Sequence, residues 1–276
     1  MDLFHQYVQY SYNSLPHNRA LVQLWRNHSK LKAVILTAIV LSFLTQVGVK
    51  AEPVPYYGVN YYSYTERTDE KDPFMELETN IPTFILGLRD ETAIRSNNSS
   101  DKISYNVEGS FGNVTYTQWT GAATHTHNYW TIQTEGLYAL PYNFYAGVGY
   151  RYLKDYLSAG GYGGYDRQNM LLYIPAGYAR NNFKLQYNFL MEGSQFSELS
   201  QIPGYGDLTN EQNDGFGLEL SYTFLDPGSD TSGWEIFTKY WNIEDSTTNT
   251  SSGSKWIITG MEPLNETYEI GVKALF

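Results

Sequence analysis

Along most of this chain, apolar side chains recur at every second residue, and no long segment carries the 3.6-residue period of an amphipathic helix. The segment 215–225, GFGLELSYTFL, sets Phe216, Leu218, Leu220, Tyr222 and Phe224 on one side of an extended backbone. Gly217, Glu219, Ser221 and Thr223 fall on the other. In 182–192, Phe183, Leu185, Tyr187, Phe189 and Met191 oppose Lys184, Gln186, Asn188, Leu190 and Glu192. In 143–152, Phe144, Ala146, Val148, Tyr150 and Tyr152 oppose Tyr145, Gly147, Gly149 and Arg151, where glycine leaves room for bulky neighbours.

Turn signals divide the pattern into ten strands, near 55–66, 74–90, 102–118, 128–140, 143–156, 165–180, 182–195, 214–226, 233–244 and 263–276. The connections alternate between tight turns (PYN at 141–143, RNN at 180–182, DPGSDTSG at 226–233) and long polar stretches at 66–73, 119–128, 157–165, 196–214 and 245–262. Short turns at one end and long loops at the other are the organisation of an outer-membrane barrel. The expected fold is therefore all-β: a single antiparallel up-and-down transmembrane β-barrel of ten strands, with eight or twelve as alternatives. The connection 90–102, DETAIRSNNSSDK, is long for the short-turn side, and Pro175 implies a bulge or bend in the sixth strand. A soluble β-sandwich would show the same alternation with its faces reversed. Alternation alone does not say which face is which.

The amino terminus adds a direction. Lys30 and Lys32 precede an apolar run, 33–49, and Val49 and Ala51 stand three and one residues before Glu52. This is the pattern of a secretory signal peptide cleaved after Ala51, with a membrane-anchoring helix as the alternative. Residues 1–51 are read as an extension plus signal, and 52–276 as the barrel domain. Removing the five basic residues and one acid of 1–51 leaves 13 bases against 28 acids, a net charge of −15. So acidic a body excludes nucleic acid as a partner. Tyrosine is abundant, with 26 residues, and aromatics gather near strand ends: Tyr56, Tyr57, Tyr61, Tyr62, Tyr64, Trp119, Trp130, Trp234, Tyr240 and Trp241. They suggest the girdles of two membrane interfaces. The absence of cysteine excludes disulfides and thiolate metal sites.

The motifs GYRYLKD (149–155), GYDRQNMLLYIPAG (164–177), EGSQFSELSQI (192–202), NDGFG (213–217), KYWNIEDS (239–246) and EPLNETYEIGVKALF (262–276) cover much of the body. With them the chain resembles Gram-negative outer-membrane β-barrel proteins of the small, opacity-protein-like or porin-like type, and more narrowly an uncharacterised outer-membrane barrel family. The resemblance implies an outer-membrane location and no assigned chemistry. It also implies that the alternating end Tyr268, Ile270, Val272, Ala274 and Phe276 resembles the signal read by the barrel-assembly machinery.

Mixed charges fall on the face opposite the apolar one: Glu108, Glu135, Glu192, Glu219, Glu235 and Glu269 with Arg89, Arg151, Lys184, Lys239 and Lys273. In a narrow barrel such residues form a polar side-chain network that fills the lumen, or line a small pore. His125 and His127 share one side of an extended segment and are weak metal candidates, for which distant Asp166, Asp207 or Glu211 would be needed as third ligands. A hydrolase with a rim active site would draw on Asp155, Asp166, Asp207, Asp214, Glu244, Asp245 and those histidines, but neither a paired-Asp nor a His-Asp pattern is present. No cofactor is expected. The expected partners are outer-membrane lipid, the barrel-assembly machinery, and an extracellular ligand or surface partner. The readings carried forward are a structural or surface-interaction protein, a narrow porin for small solutes, and an outer-membrane hydrolase.

Overall fold

The computed structural model describes residues 53–67, 73–78, 82–95, 102–118, 124–157, 164–229, 231–246, 249–253, 257–260 and 262–276. The proposed signal segment, with Val49 and Ala51, lies outside the described residues, as does Trp119. The strands are β1 (Val54–Arg67), β2 (Pro73–Glu78), β3 (Thr83–Asp90), β4 (Ile103–Gln118), β5 (Thr124–Ala139), β6 (Phe144–Asp155) and β7 (Arg167–Arg180). They continue as β8 (Phe183–Ser197), β9 (Leu208–Glu211), β10 (Gly215–Leu225), β11 (Gly233–Ile243), β12 (Asn249–Ser252), β13 (Ile257–Gly260) and β14 (Leu264–Leu275). A single helical turn, α1 (Thr92–Arg95), stands between β3 and β4.

Every neighbouring pair is antiparallel, and the last strand returns to the first, with Tyr57 opposite Ala274 and Tyr64 opposite Thr267. β8 meets β10 through Leu185 opposite Leu220. The result is a closed ten-stave antiparallel barrel, in which β2 and β3 together make one stave. Closure leaves no unpaired edge around the cylinder. One end, called here the terminal end, holds both termini of the barrel and the tight turns. The other, the loop end, holds the long connections and the extra strands β9, β12 and β13.

Three departures from strict alternation have local causes. The stretch expected as one strand at 74–90 is described as two, β2 and β3, and the register against β1 changes from Glu78 opposite Ser63 to Thr83 opposite Asn60. Pro82, which cannot donate to a ladder, stands just before β3. Opposite Pro175, the β6–β7 ladder skips two rungs, between Ala146 opposite Ala176 and Gly149 opposite Tyr173, with the register unchanged. The proline thus removes rungs without making a bulge. The bulge sits in β8, where Leu172 faces Glu192 but Tyr173 faces Leu190. One extra residue there inverts the alternation. Glu192, expected inward, is therefore exposed on the outside, and Gly193, Gln195 and Ser197 take the inward places.

The apolar face is the outer one. Leu218, Leu220, Tyr222 and Phe224 are exposed, while Glu219, Ser221 and Thr223 beside them are buried. The aromatic girdle needs correction: Tyr56, Tyr62, Tyr64 and Trp241 are buried inside the barrel. Of the outer aromatics, two groups mark the ends of the apolar face. Tyr57 stacks on Phe276 at 5.1 Å at the terminal end. Nearer the loop end, Tyr187, Phe216, Tyr240 and Tyr268 make a ribbon across four staves, with successive ring centroids 5.6, 5.8 and 4.7 Å apart. Tyr268 and Phe276 are separated by about 27 Å of strand, or about 20 Å along the axis of a barrel tilted by ~40°. Just beyond the ribbon, the outer surface turns ionic, with Arg67 paired to Glu266 at 3.1 Å.

Candidate functional site

Inward-facing positions from every stave bring charged side chains together inside the barrel. Of the eleven residues singled out by alternation, Glu108, Glu135, Arg151, Lys184, Glu219, Glu235, Lys239, Glu269 and Lys273 are buried, as is Arg89, and Glu192 is the exception. Several of their partners come from strands that do not adjoin, so those contacts cross the lumen. Lys239 Nζ of β11 lies 2.6 Å from Glu108 Oε1 of β4, and Lys273 Nζ of β14 lies 2.7 Å from the other oxygen of the same carboxylate. Arg151 of β6 reaches Glu269 of β14 at 3.3 Å, and Asn60 of β1 donates to that glutamate at 2.9 Å. Arg89 of β3 reaches Glu235 of β11 at 2.6 Å, and Thr223 donates to the same oxygen at 3.1 Å. Lys184 pairs with Glu219 at 3.2 Å. Glu135 takes its hydrogen bonds from neutral donors, Tyr173 Oη at 2.9 Å and Gln186 Nε2 at 2.7 Å.

Two members of this network come from outside the strand pattern. The connection after β3, too long for a tight turn, folds back as α1 and carries Glu91 and Arg95 into the terminal end of the lumen. Asp90 Oδ1 accepts from Thr92 N at 2.9 Å, which starts the turn. Ala93 and Ile94 are buried against Leu137, Ala139, Tyr145 and Ala179. Glu91 pairs with Lys184 at 3.0 Å and with Arg95 at 2.6 Å, and Arg95 also approaches Glu235 at 3.5 Å. With Arg89, Glu91 and Arg95 added, six carboxylates (Glu91, Glu108, Glu135, Glu219, Glu235, Glu269) meet six cations (Arg89, Arg95, Arg151, Lys184, Lys239, Lys273). Equal charge is what makes so many buried ions tolerable, because each unpaired one would cost several kcal/mol.

Aromatic rings fill the spaces between the ion pairs. The Tyr173 ring lies over Gly149 of the next stave, where a methyl group would meet ring carbons at 2.2 and 2.3 Å. Trp241 lies over Gly217 in the same way. Arg151 stands 5.7 Å from the Trp241 ring centroid, and Lys273 stands 4.3 Å from that of Phe237.

A second ionic group lies at the loop end. Arg167 bonds Glu66 and also Asp155, the latter at 2.7 Å, with Tyr64 donating to Glu66 at 2.7 Å. The other rim acids are dispersed. Asp166 lies 4.0 Å from Lys154, Asp207 accepts from Ser200 N at 2.9 Å, and Glu211, Asp214, Glu244 and Asp245 are exposed. His127 is buried on the inward face of β5; the side chain of His125 lies outside the described residues. Among the described residues, no three or more His, Cys, Asp or Glu side chains are grouped to hold a metal.

Comparison of the whole barrel with solved structures finds similar shapes. The outer membrane protease OmpT from Escherichia coli aligns with a TM-score of 0.42 at 13% identity, over 81% of this chain and 96% of that one. The translocator domain of the autotransporter NalP from Neisseria meningitidis gives 0.38 at 9% identity, over 92% and 98%. A Pseudomonas aeruginosa FadL homologue gives 0.29 at 8% identity, over 81% and 90%. No family model and no curated protein matches the chain, so the narrower resemblance drawn from its motifs has no matching family model behind it.

Proposed function

We propose that the protein is an integral outer-membrane β-barrel with a structural or surface-interaction role, its lumen filled by a polar side-chain network. One observation carries this reading: the barrel is apolar outside and ionic inside. Ile270 is 62% exposed and Glu269 beside it 6%; Ile236 is 51% exposed and Glu235 2%. In water this arrangement would be inverted. In a bilayer, an apolar outer band with aromatic borders is what lipid requires, and closure leaves no open sheet edge. The outer band between Tyr268 and Phe276 spans about 20 Å of the ~25 Å such barrels present.

The filled lumen is supported by what occupies it. Trp241, Tyr62, Tyr145, Tyr173 and Lys184 are among its fully buried side chains, and α1 sits under them at the terminal end. Export rests on the sequence pattern of residues 30–51. With export, the short-turn rule of such barrels gives the terminal end to the periplasm and the loop end to the outside of the cell, where 157–165, 196–214 and 245–262 would offer the contact surface for a ligand or partner. Lipid and the assembly machinery are its other partners. Outer-membrane fractionation with a heat-modifiable gel shift tests the location, and a soluble periplasmic product would end the reading. Planar-bilayer recording of the refolded protein tests the filled lumen. Current at background supports it, and a steady ohmic conductance replaces it with the narrow-porin reading.

A further inference from the structure

At the loop end, several chain segments converge on one carboxyl group. Glu262 stands two residues before β14 and is buried. Its backbone is tied to Ser246, just past β11: Ser246 N donates to Glu262 O at 3.0 Å, and Glu262 N donates to Ser246 Oγ at 2.8 Å. Asn210 of β9 donates to that same Ser246 oxygen at 3.1 Å. Ser197, at the end of β8, donates to Glu262 Oε1 at 3.3 Å. The connections after β8 and β11 are thus fastened to the entry of the closing strand through one residue.

Among the described residues, the charges around this one do not balance. Facing Glu262 are Glu66 of β1, with Tyr64 bonded to it, and Tyr165 and Arg167 at the start of β7, with Asp155 of β6 beyond. His127 of β5 lies two residues past the rung that joins Tyr129 to Asp155. Three carboxylates therefore share Arg167, whose ion pairs go to Glu66 and Asp155. Glu262 has no such ion pair and is left with Ser197, Gln195 and a share of the Arg167 charge.

We propose that Glu262 is a proton-operated latch on the extracellular mouth: protonated, it fastens the segments after β8, β9 and β11 to the start of β14, and ionised, it releases them. The proton exchanges with bulk water. Burial, and then the Glu66 charge, push the Glu262 carboxyl up to about 7, while Arg167, Ser197 and Gln195 pull the other way. Because the raised value belongs to the fastened state, the proton's contribution is complete below the ordinary carboxylate range. It declines as pH rises and is gone above about 7.

Hydrogen exchange read by mass spectrometry on the refolded, detergent-solubilised protein tests this. Peptides containing Ser246 and Glu262 would be followed from pH 5 to pH 8, with rates corrected for intrinsic exchange. Protection should fall by about tenfold or more across that range, and Glu262→Gln should hold it high and flat. A wild-type profile without the fall, or a Glu262→Gln profile that keeps it, overturns the proposal. Should Glu262→Gln fail to refold, Glu66→Gln decides. A midpoint moved to lower pH supports the latch, and an unmoved midpoint refutes it.

Discussion

Arg89 and Glu235, 146 residues apart in the sequence, meet inside the barrel at 2.6 Å. The pair ties β3 to β11 across the lumen, and neither residue is more than one-tenth exposed. Removing one partner strands the other in a poorly solvated place. Arg89→Met should therefore destabilise the folded barrel by about 3–5 kcal/mol, toward the lower end because Lys273 and Arg95 still approach Glu235. Replacing both, as Arg89→Met with Glu235→Leu, should recover most of the loss, because two apolar side chains leave no unpaired charge. Urea midpoints of the refolded single and double variants give the answer. A double variant no better than the sum of the singles would show that the two residues do not act as a pair.

The inward glycines make a steric claim. Gly149 lies beneath the Tyr173 ring, and an added methyl would fall 2.2 Å from a ring carbon. Gly149→Ala should cost about 1–3 kcal/mol, the usual range for overpacking. Tyr173→Leu should reduce that penalty when combined with it, although it also removes the hydroxyl that donates to Glu135. Onset temperatures of the heat-modifiable band measure the single and double variants side by side.

How far alternation reached, and where it stopped, follows from particular residues. Lys184, Glu219 and Lys239 were readable because each sits in an unbroken run of period 2, so parity fixes the side. Glu192 was placed on the wrong face because the extra residue at the β8 bulge is invisible to parity. Tyr56, Tyr62 and Tyr64 resembled an interfacial girdle because the first strand is tyrosine-rich on both faces; their shared parity with Asn60 and Glu66 was the available signal. Glu91 and Arg95 were missed because they lie in a connection, where neither period applies. The only clue was that the connection was too long for the end it closes.

The outer face is open to a direct test. Val272 lies midway along β14 between Tyr268 and Phe276, with Ile236 and Val59 opposite it. If this face meets lipid, Val272→Arg should cost about 2–4 kcal/mol, as expected near a bilayer midplane. Phe224→Arg, on the outward face at the terminal end of β10, should cost about 1 kcal/mol or less, because charges near an interface are tolerated. Folding yields into vesicles across a urea series would separate them. Equal behaviour of the two variants would argue against a depth-dependent apolar environment.

Phe276 sits at the seam between the last stave and the first. Phe276 is 57% exposed on the outer face, stacked on Tyr57 of the first strand, and its amide donates to Pro55 O at 3.1 Å. It thus closes the seam between β14 and β1 at the terminal end, in line with Tyr268, Ile270, Val272 and Ala274. Ala274 lies between Tyr57 and Trp234 in the register, so a small residue fits there. Deleting Phe276 removes one backbone bond and one stacking contact, worth about 1–3 kcal/mol together. That is too little to unfold a ten-stave barrel in vitro, so the purified variant should still refold into vesicles. In cells, if the alternating segment from Tyr268 to Phe276 is what the assembly machinery reads, the same deletion should lower outer-membrane levels several-fold more than deleting Asp207 from a loop. Comparable levels of the two deletions would remove the assembly role from Phe276 and leave it as a seam contact only.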